Sequence, residues 1–565
     1  MAASQTKLSA LVGYTGLVGS NLLEQRTFTD TYNSKNIKSL CGKSYDEIYF
    51  AACPAEKWKI NQNPQQDLAT LSQLREVLST VQAKVFVLIS TIDVYNLAKD
   101  DQDEQTDLST SIQTHHPYGK HRYMFEQWMA ELFPHLLIVR LPALHGPHLK
   151  KNYLYDLLNN NNPEAIKRNS CFQWYDLTRL EDDIKTALAV NLTLVNLFPE
   201  PIWTHDILRV LEETQAVTPE VLGKVPQVGE SAPGIVYRIQ TKNATYFGST
   251  VPNYIYSASQ SIDMIQKFVK HHILAEKFVI SNIAWSWTDE AESNSVLRFL
   301  SESGVRQLEI APTKIWNSWP ECHNALADGR AAEFGRLLKE KGFSVPSFQA
   351  VLFDRPACLL LGNDEQRTAF LDHMKFVIEL CSTIHQNASE SHKRTRPAAI
   401  VVGAPKNRLR QGKTEDECHK LGDEIWSALA MYAESRGVVI CLEANPPQYG
   451  CDYLYNAVQA AAAVRRVGHP GFLLHVDLAC MTLAKDDIFS VLQEAKDIIF
   501  HVHISEPYLE DFSRPQCDHA AFATLLKRTI WDRPIKLSVE MKNGEDNIQR
   551  VKTAVHLVKD IYFGL

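Results

Sequence analysis

Short apolar runs separated by amphipathic stretches organise the carboxyl-terminal half of the chain. Eight runs of strand length recur there, and a stretch with apolar residues at helical spacing follows each one. The runs are 278–286, 307–313, 347–353, 399–405, 438–445, 472–478, 498–505 and 536–542. Eight strand–helix units in about 290 residues are the arithmetic of a closed (β/α)8 barrel. The pattern therefore predicts a TIM barrel over residues 276–565.

The amino-terminal third alternates buried strands with helices in a different rhythm. LSALVGYTG, DEIYFAACP, KVFVLISTIDVY and LLIVRLPALHGP are apolar runs, and helical stretches such as DLATLSQLREVLSTV separate them. Continuously apolar strands are typical of a parallel sheet that is covered on both faces. We therefore predict an α/β chain with a Rossmann-type, doubly wound parallel sheet in a domain covering 1–275. Residues 151–275 are expected to be less regular, with loops at 159–163 and 218–234.

Composition and charge exclude several classes of function. The chain has 565 residues and a formal net charge of −8, so no basic field indicates a nucleic-acid partner. No apolar run approaches the roughly 18 residues of a membrane helix, so no membrane partner is expected. The first residues do not resemble a secretion signal, and eleven cysteines without a C-x-x-C pair suggest reduced thiols. We expect a cytoplasmic enzyme that acts on a small-molecule substrate. The sequence leaves open whether the chain forms a homo-oligomer.

Acidic residues and histidines end the last four apolar runs of the second half. Glu443 ends the fifth, Asp477 lies in the sixth, His501 and His503 lie in the seventh, and Glu540 lies in the eighth. Charged groups within apolar strands are costly unless they are paired or bind a metal ion, and strand ends of a barrel converge at one mouth. Three carboxylates and one imidazole suit Mn²⁺ or Mg²⁺ first, then Co²⁺ or Zn²⁺.

The two histidines of the seventh run have the same parity, so spacing alone does not choose between them. A further histidine, His475, is expected to be a core residue that orients a ligand from behind. Other polar residues are expected near the mouth: Glu309, Gln349, Lys406, Asn407, Arg408, Glu506 and His519. Lys406 and Arg408 would either meet a phosphate or carboxylate of the substrate or belong to a solvated loop.

These residues resemble the xylose-isomerase-like barrel superfamily of sugar-phosphate isomerases and ketose 3-epimerases. The segments ISNIAWSW, LEIAPTKIW and CDHAAFATLLKR carry the resemblance further, over about 276–565. It implies a metal site of Glu443, Asp477, His503 and Glu540. It also implies that Glu443 and Glu540 remove and return a carbon-bound proton while an enediolate forms. Cys480 stands where many ketose epimerases have a histidine, which leaves the substrate and reaction open.

Three glycines, Gly13, Gly16 and Gly19, follow the first apolar run and precede a helical stretch. This G-x-x-G-x-x-G pattern permits a tight turn, close approach of backbone to a pyrophosphate and close helix–strand packing. The alternative is a glycine-rich turn that binds nothing. The residues expected to contact a dinucleotide are Gly13, Thr15, Gly16, Leu17, Val18, Gly19 and Ala51.

The segments LISTIDVY, HPYGKHRYMFE and RLPALHGP, with the glycine pattern, resemble the extended short-chain dehydrogenase/reductase family over roughly 8–210. The family comprises NAD(P)-dependent sugar epimerases and dehydratases. The resemblance implies a substrate-binding hydroxyl at Thr91 and an acid/base phenol at Tyr118. Arg122 occupies the position of the family's catalytic lysine, and arginine is planar and does not titrate in the same range. Lys35 does not decide between NAD and NADP as the cofactor.

The combined patterns predict a bifunctional carbohydrate enzyme. The first half would act as an NAD(P)-dependent sugar oxidoreductase or epimerase, and the second as a metal-dependent sugar isomerase or epimerase. One alternative is a dehydratase of a keto-polyol or dehydroshikimate type that uses the same metal and base. The other is an amino-terminal module that binds NAD(P) without turnover and regulates the barrel.

Overall fold

The computed structural model describes residues 7–96, 99, 101–227, 234–389 and 396–565. The chain divides into two compact units, Met1–Val269 and Lys270–Leu565, which are described separately. The boundary falls within the helix Ala258–Lys277. Among the described residues, no helix combines the length and the apolar character that crossing a bilayer requires.

A six-stranded parallel sheet forms the centre of the first unit, in the order β2-β1-β3-β4-β5-β9. Two two-stranded sheets, β6-β8 and β7-β10, accompany it. The strands are β1 (Ser9–Val12), β2 (Asp30–Tyr32), β3 (Ser44–Phe50), β4 (Gln82–Thr91), β5 (Leu136–Leu141), β6 (Ala143–His145), β7 (Cys171–Phe172), β8 (Trp174–Asp176), β9 (Leu194–Asn196) and β10 (Ile202–Trp203). The strand order reverses at β1, because β2 and β3 lie on its opposite sides.

Helices pack on both faces of this sheet because its strands are apolar on both sides. The helices of the unit are α1 (Leu17–Gln25), α2 (Lys57–Gln62), α3 (Pro64–Leu78), α4 (Pro117–Leu132), α5 (Tyr153–Leu158), α6 (Leu180–Ala189), α7 (Thr204–Glu213), α8 (Pro219–Lys224) and α9 (Ala258–Lys277). One core contains residues of α1 and α6, and the opposite core contains residues of α3 and α4. The α/β class and the parallel sheet are confirmed, and a Rossmann identity stays a prediction.

The region 151–275 is more regular than its sequence suggests. It contains the helices α5 to α8 and the short strands β7 to β10. The expected loop at 218–234 includes α8, which starts as a helix because Thr218 caps it and Pro219 takes its first position. Residues 228–233 of that expected loop lie outside the described part of the chain.

Eight parallel strands close into a barrel in the second unit, in chain order. The strands are β11 (Phe278–Ser281), β12 (Gln307–Ile310), β13 (Ser344–Phe348), β14 (Ala398–Val402), β15 (Val438–Glu443), β16 (Phe472–Asp477), β17 (Ile499–Ser505) and β18 (Lys536–Glu540). Pairing of β11 with β18, for example Ile280 with Val539, closes the ring. The predicted TIM barrel is therefore confirmed.

Helices surround the barrel strands. They are α10 (Glu290–Glu302), α11 (Pro312–Trp316), α12 (Trp319–Ala327), α13 (Arg330–Glu340), α14 (Asp364–Ala388), α15 (Glu415–Ser435), α16 (Ala457–Val467), α17 (Leu478–Ala484), α18 (Ile488–Glu494), α19 (His519–Thr529) and α20 (Asn547–Val558), with a π-helical turn at Lys559–Phe563. Asn363 and Thr414 each begin a long helix with a capping box.

The third barrel strand lies three residues earlier than its apolar run predicts. The run 347–353 suggests a strand, but β13 is Ser344–Phe348. Ala350 and Asp354 have φ values of +53° and +55°, a left-handed conformation that interrupts a strand. Val351, Leu352 and Phe353 therefore belong to a loop beyond the strand, and this loop lines the cavity described next.

Candidate functional site

A cavity of about 650 Å³ opens at the carboxyl ends of the barrel strands. Its lining includes the loop residues 349–356, residues 401–407 and the four predicted ligands Glu443, Asp477, His503 and Glu540. Each ligand lies in the last residues of β15, β16, β17 or β18. Because parallel barrel strands end at one face, residues far apart in sequence meet here.

The imidazole of His503 lies at the centre of the predicted ligand set. Its Nδ1 atom lies 2.9 Å from Glu540 Oε2, 3.7 Å from Asp477 Oδ2 and 4.0 Å from Glu443 Oε1. All four residues are buried, with exposed fractions of 9% or less. The structure therefore brings three carboxylates within 4.0 Å of one imidazole nitrogen.

Neighbouring polar groups hold two of the carboxylates in place. Asn445 Nδ2 donates a hydrogen bond of 3.0 Å to Glu443 Oε2. Ser505 Oγ donates to Asp477 Oδ2 at 2.6 Å, and the backbone N–H of Cys480 donates to Asp477 Oδ1 at 2.6 Å. These bonds fix the carboxylate planes before any ligand arrives, which is a requirement of a preorganised site.

Gly403 provides the space that the Glu443 carboxylate occupies. A Cβ atom on residue 403 would lie 1.9 Å from Glu443 Oε2 and 3.1 Å from Asn445 Oδ1. Any larger residue there would displace the carboxylate from the position that Asn445 holds. The glycine after strand β14 is therefore part of the site, although it carries no chemistry of its own.

The crowded carboxylates perturb one another's protonation. Burial, followed by the Asp477 charge, raises the pKa of Glu443 to about 8. Burial also raises the pKa of Asp477, and Glu540 adds to the effect. Burial opposes protonation of His503, yet the charges of Glu309 and Glu540 raise its pKa well above the usual value. The carboxylates repel one another and are stabilised by positive charge.

The donor set fits a divalent cation. Ligand atoms of Glu443, His475, Asp477 and His503 lie within 4.8 Å of one another. This group contains His475 in place of the predicted Glu540, which contacts it through the 2.9 Å approach of its Oε2 atom to His503 Nδ1. His503 Nδ1 makes no hydrogen bond of suitable geometry with any described residue, although it is fully buried. Three buried carboxylates around this nitrogen repel one another and require positive charge, so the arrangement indicates a place for a cation.

The structure separates the two histidines of β17, which sequence spacing leaves equivalent. His503 faces the carboxylates, whereas His501 lies deeper and contacts His475 at 3.1 Å between their Nδ1 atoms. His475 also lies 3.7 Å from Glu443 Oε1 through its Nε2 atom. Burial lowers the pKa of both His475 and His501 well below the usual value, so both imidazoles are neutral.

The expected mouth residues fall into two groups. Gln349, Lys406, Asn407 and Glu506 line the cavity. Three others do not line the cavity and have partners within the protein. Glu309 is buried beneath His503, Arg408 is buried and donates to Asn445 Oδ1, and His519 is buried against Glu506. Lys406 is exposed at the cavity, so it can meet solvent or a substrate anion.

Sequence reasoning does not identify three residues of the site: Asn445, Ser505 and Gly403. Ser505 shares the parity of His501 and His503, so it points to the same side of the strand. Asn445 follows Glu443 by two residues. Both signals are present in the sequence, but a serine and an asparagine at strand ends are common without a ligand nearby.

In the first unit, the glycine turn connects β1 to α1 as the pattern predicts. Gly13 has φ +95°, and a Cβ there would lie 2.5 Å from Ala51 O. A Cβ on Gly19 would lie 2.1 Å from Gly13 O. These two glycines are required by close packing of the turn itself. A Cβ on Gly16, by contrast, would approach only Gly13 O, at 3.4 Å. Gly16 is exposed at the start of α1.

The remaining predicted cofactor contacts cluster around this turn. Thr15 is exposed, Leu17 and Val18 are half-buried in the first turn of α1, and Ala51 follows β3 directly. Ala51 N donates to Val12 O at 2.8 Å, which joins the ends of β1 and β3. The helix amino terminus and the adjacent strand end are the geometry that a pyrophosphate uses.

Thr91 and Tyr118 are close, as the predicted pair requires. The Thr91 hydroxyl acts to lower the pKa of the Tyr118 phenol, and Thr91 Oγ1 accepts from Asp93 N at 3.2 Å. Burial raises the pKa of Tyr118 to about 12, although the Arg122 charge acts in the opposite direction. A phenol of this pKa is a poor base near neutral pH.

Arg122 has a structural partner that the sequence does not reveal. Its guanidinium donates to both oxygens of Asp67 at 3.0 Å and to Pro54 O at 2.5 Å. Its Cζ atom lies 4.8 Å from the Tyr118 ring centroid. The side chain is 3% exposed, and Asp67 also accepts from His121 at 2.8 Å. The position that would carry the catalytic lysine is therefore occupied by a buried, bidentate ion pair.

Comparison with known families supports the barrel. Residues 297–561 match the family model described as xylose isomerase-like TIM barrel. The match covers a little less than half of the chain and lies within the second unit. A comparison with curated proteins gave no significant match.

Solved structures with similar folds include several sugar-modifying proteins. D-allulose 3-epimerase from Methylomonas sp. in complex with D-allulose is 17% identical, with a TM-score of 0.40, 51% of this chain covered and 97% of that chain. The 3-keto-D-glucoside 4-epimerase YcjR from E. coli is 16% identical, with a TM-score of 0.39 and coverages of 50% and 98%. The IolI protein with a bound zinc atom is 18% identical, with a TM-score of 0.38 and coverages of 51% and 98%.

Proposed function

We propose that the barrel unit is a divalent-metal-dependent isomerase or epimerase of a keto-sugar or keto-polyol. The observation that carries this proposal is the convergence of Glu443, Asp477 and Glu540 on His503 Nδ1 at the floor of an open cavity. The match of residues 297–561 to the xylose isomerase-like family supports the same class of chemistry.

The four side chains named above would hold the cation. A divalent ion bound there supplies Lewis acidity, which lowers the barrier to forming an enediolate from a substrate carbonyl and its neighbouring hydroxyl. Mn²⁺ or Mg²⁺ suits the three carboxylates best, and the imidazole also permits Co²⁺ or Zn²⁺.

Glu443 and Glu540 divide the proton transfer between them. They extend from β15 and β18, on either side of β16 and β17, so a planar substrate between them exposes one face to each. One carboxylate removes the proton from the carbon next to the carbonyl, and the other returns a proton to the opposite face or the adjacent carbon. Asn445 orients Glu443 for this step through its 3.0 Å hydrogen bond.

Cys480 sets this site apart from the ketose epimerases that its sequence resembles. Its side chain lines the cavity, and burial raises the pKa of the thiol well above the usual value. A neutral thiol donates weakly, so a substrate hydroxyl at this point would lose the strong hydrogen bond that an imidazole provides. We therefore infer a substrate that differs at the oxygen facing Cys480.

The test is solvent-deuterium uptake by a panel of ketoses, keto-acids and keto-polyols in the presence of metal-loaded protein. We expect one substrate to exchange a carbon-bound proton, and we expect Glu540→Gln to abolish exchange and stoichiometric metal binding together. Formation of an enone absorbance with loss of water would instead identify the dehydratase. No exchange and no metal binding across the panel would remove the proposal.

For the first unit, we propose a module that binds NAD(P) without transferring hydride. The observation favouring this over an oxidoreductase is the pairing of Arg122 with Asp67 beside a Tyr118 phenol whose pKa is raised to about 12. Gly16 at the exposed start of α1 leaves room for a pyrophosphate.

The fluorescence of NADH and NADPH on titration with the full chain tests this second proposal. We expect saturable binding that Tyr118→Phe leaves unchanged and Gly16→Asp abolishes, because a carboxylate at the helix start would repel the pyrophosphate. Hydride transfer that depends on Tyr118 would show that the unit is an oxidoreductase. Absence of binding would show that the glycine turn is structural only.

A further inference from the structure

A carboxylate lies beneath the proposed metal ligands, on the side away from the cavity. Glu309, in β12, is fully buried and does not line the cavity. Its Oε1 atom accepts from His503 Nε2 at 2.8 Å and from Ser538 Oγ at 3.1 Å. The other oxygen of Glu309, Oε2, lies 3.4 Å from His501 Nε2. This oxygen makes no hydrogen bond with any described residue.

A buried carboxylate requires a positive partner or a set of donors. Within the part of the chain that the structure describes, the only ion-pair contacts of Glu309 are with His501 and His503. Only the contact with His503 is a hydrogen bond, because His503 Nε2 lies 2.8 Å from Glu309 Oε1 while His501 Nε2 lies 3.4 Å from Oε2 without a hydrogen bond. The direct partner of Glu309 is therefore His503.

The two nitrogens of His503 face opposite groups. The Nε2 atom faces Glu309, and the Nδ1 atom faces the carboxylates of Glu443, Asp477 and Glu540. A histidine that donates its Nε2–H to a carboxylate presents the lone pair of Nδ1 to a metal ion and becomes a stronger ligand. Such an arrangement also fixes the rotation of the ring.

We propose that Glu309 is a positioning residue, which holds His503 as the Nε2–H tautomer with Nδ1 directed at the metal site. The inference rests on the proposed function of the barrel, because it assumes that a cation binds among the four ligands. It adds a fifth residue, from strand β12, on which the affinity of that cation depends.

The test measures metal affinity and tautomer separately in the full chain. Mn²⁺ titration followed by electron paramagnetic resonance gives the affinity, and ¹⁵N–¹H correlation of histidine-labelled protein identifies the protonated nitrogen of His503. Glu309→Met, which removes the acceptor, is expected to weaken Mn²⁺ binding about 10- to 100-fold and to release the tautomer. Glu309→Gln keeps an acceptor oxygen without charge and is expected to lose less affinity and to keep the tautomer.

Ser538→Ala provides the matched control, since it removes the second hydrogen bond to Glu309 and leaves His503 untouched. We expect it to change Mn²⁺ affinity less than threefold. Far-ultraviolet circular dichroism and the melting temperature of each metal-free variant report folding. If Glu309→Met misfolds, the comparison between Glu309→Gln and Ser538→Ala still decides the matter, because only the first removes the charge.

Wild-type affinity and an unchanged Nε2–H tautomer in both Glu309 variants would overturn the inference. Wild-type protein that binds no metal would instead overturn the proposed function. In that case the Nε2–H signal of His503 in metal-free protein still tests the contact, and the absence of a proton on Nε2 would overturn the positioning role as well.

Discussion

The two units of this chain carry equally suggestive sequence patterns but differ in what their polar groups do. At the barrel mouth, His503 Nδ1 is buried without a hydrogen bond while three carboxylates crowd it. In the first unit, both terminal nitrogens of Arg122 donate to Asp67 or Pro54 O, and only its Nε lacks a partner among the described residues. The carboxylates of the first arrangement call for a cation, whereas the charge of Arg122 is already paired within the protein.

The difference teaches how to separate a functional constellation from a structural one. A motif tells which residue types are present, but only their partners show whether they are available. Perturbed groups with unsatisfied atoms in a cavity indicate function. Groups whose hydrogen bonds are met within the protein contribute to stability, whatever family their motif resembles. Mutation of the paired groups in the first unit should therefore lower its stability. Mutation of the carboxylates in the barrel unit should weaken ligand binding without lowering stability.

The largest effect is expected from breaking the ion pair of the first unit. Arg122→Met should lower the free energy of unfolding of that unit by about 3–5 kcal/mol, because Asp67 would stay buried without its partner. Urea unfolding gives the change, and amide exchange in α4 locates it. The double variant Asp67→Leu with Arg122→Met should recover much of the loss, since no unpaired charge remains. A single variant as stable as wild type would mean that Arg122 is free for another role.

Removing one carboxylate from the barrel mouth should not lower stability, in contrast to breaking the ion pair of the first unit. Glu443→Gln is expected to weaken Mn²⁺ binding more than about 100-fold, which corresponds to about 2.7 kcal/mol. Burial raises the pKa of Glu443 to about 8, so its charge destabilises the metal-free protein only as the pH rises through that value. At pH 9 the metal-free variant should melt at a higher temperature than wild type, because one of three repelling charges is gone. Glu494→Gln, at an exposed position of α18, is the control. Strong destabilisation of the metal-free protein would assign Glu443 a structural role instead.

The fold could be predicted from the sequence where local patterns and topology agree. Eight apolar runs with intervening helices suffice for a barrel, because few other architectures accommodate that order. The third strand differs from its prediction because the apolar residues of SFQAVLF continue past the end of the strand, at Ala350–Phe353. The left-handed residues Ala350 and Asp354 end the strand there, and neither alanine nor aspartate announces a positive φ in sequence.

The sequence also predicts that the proposed metal ligands converge, because they lie near the ends of neighbouring barrel strands. It does not predict the buried residues that hold these ligands in place. Glu309 is separated from His503 by 194 positions and from Ser538 by 229, so no local signal links them. The same holds for Asp67 and Arg122, which meet only when α3 and α4 pack on one face of the sheet. Long-range pairs of buried polar groups depend on packing that one sequence does not reveal.

A smaller perturbation would sharpen the comparison by moving a ligand without removing it. In Gly403→Ala the new Cβ would lie 1.9 Å from Glu443 Oε2, so the carboxylate must turn away from Asn445. We expect about tenfold weaker Mn²⁺ binding by titration with little change in melting temperature. The control is Gly422→Ala in α15, where the nearest atom to a Cβ is Tyr453 Oη at 3.4 Å. Unchanged affinity in Gly403→Ala would show that the site tolerates a displaced Glu443.

The smallest effect concerns protonation of Tyr118 in the first unit. Burial raises its pKa to about 12, so the folded protein binds the phenolic proton more tightly than the unfolded chain, whose tyrosines ionise near 10. This contribution to stability is fully present below pH 10 and is lost as the pH rises towards 12. The difference in absorbance at 295 nm between wild type and Tyr118→Phe should therefore show ionisation only above about pH 11. A transition near pH 7 would instead identify an activated phenol. The first unit would then contain a candidate catalytic site, as the barrel unit does.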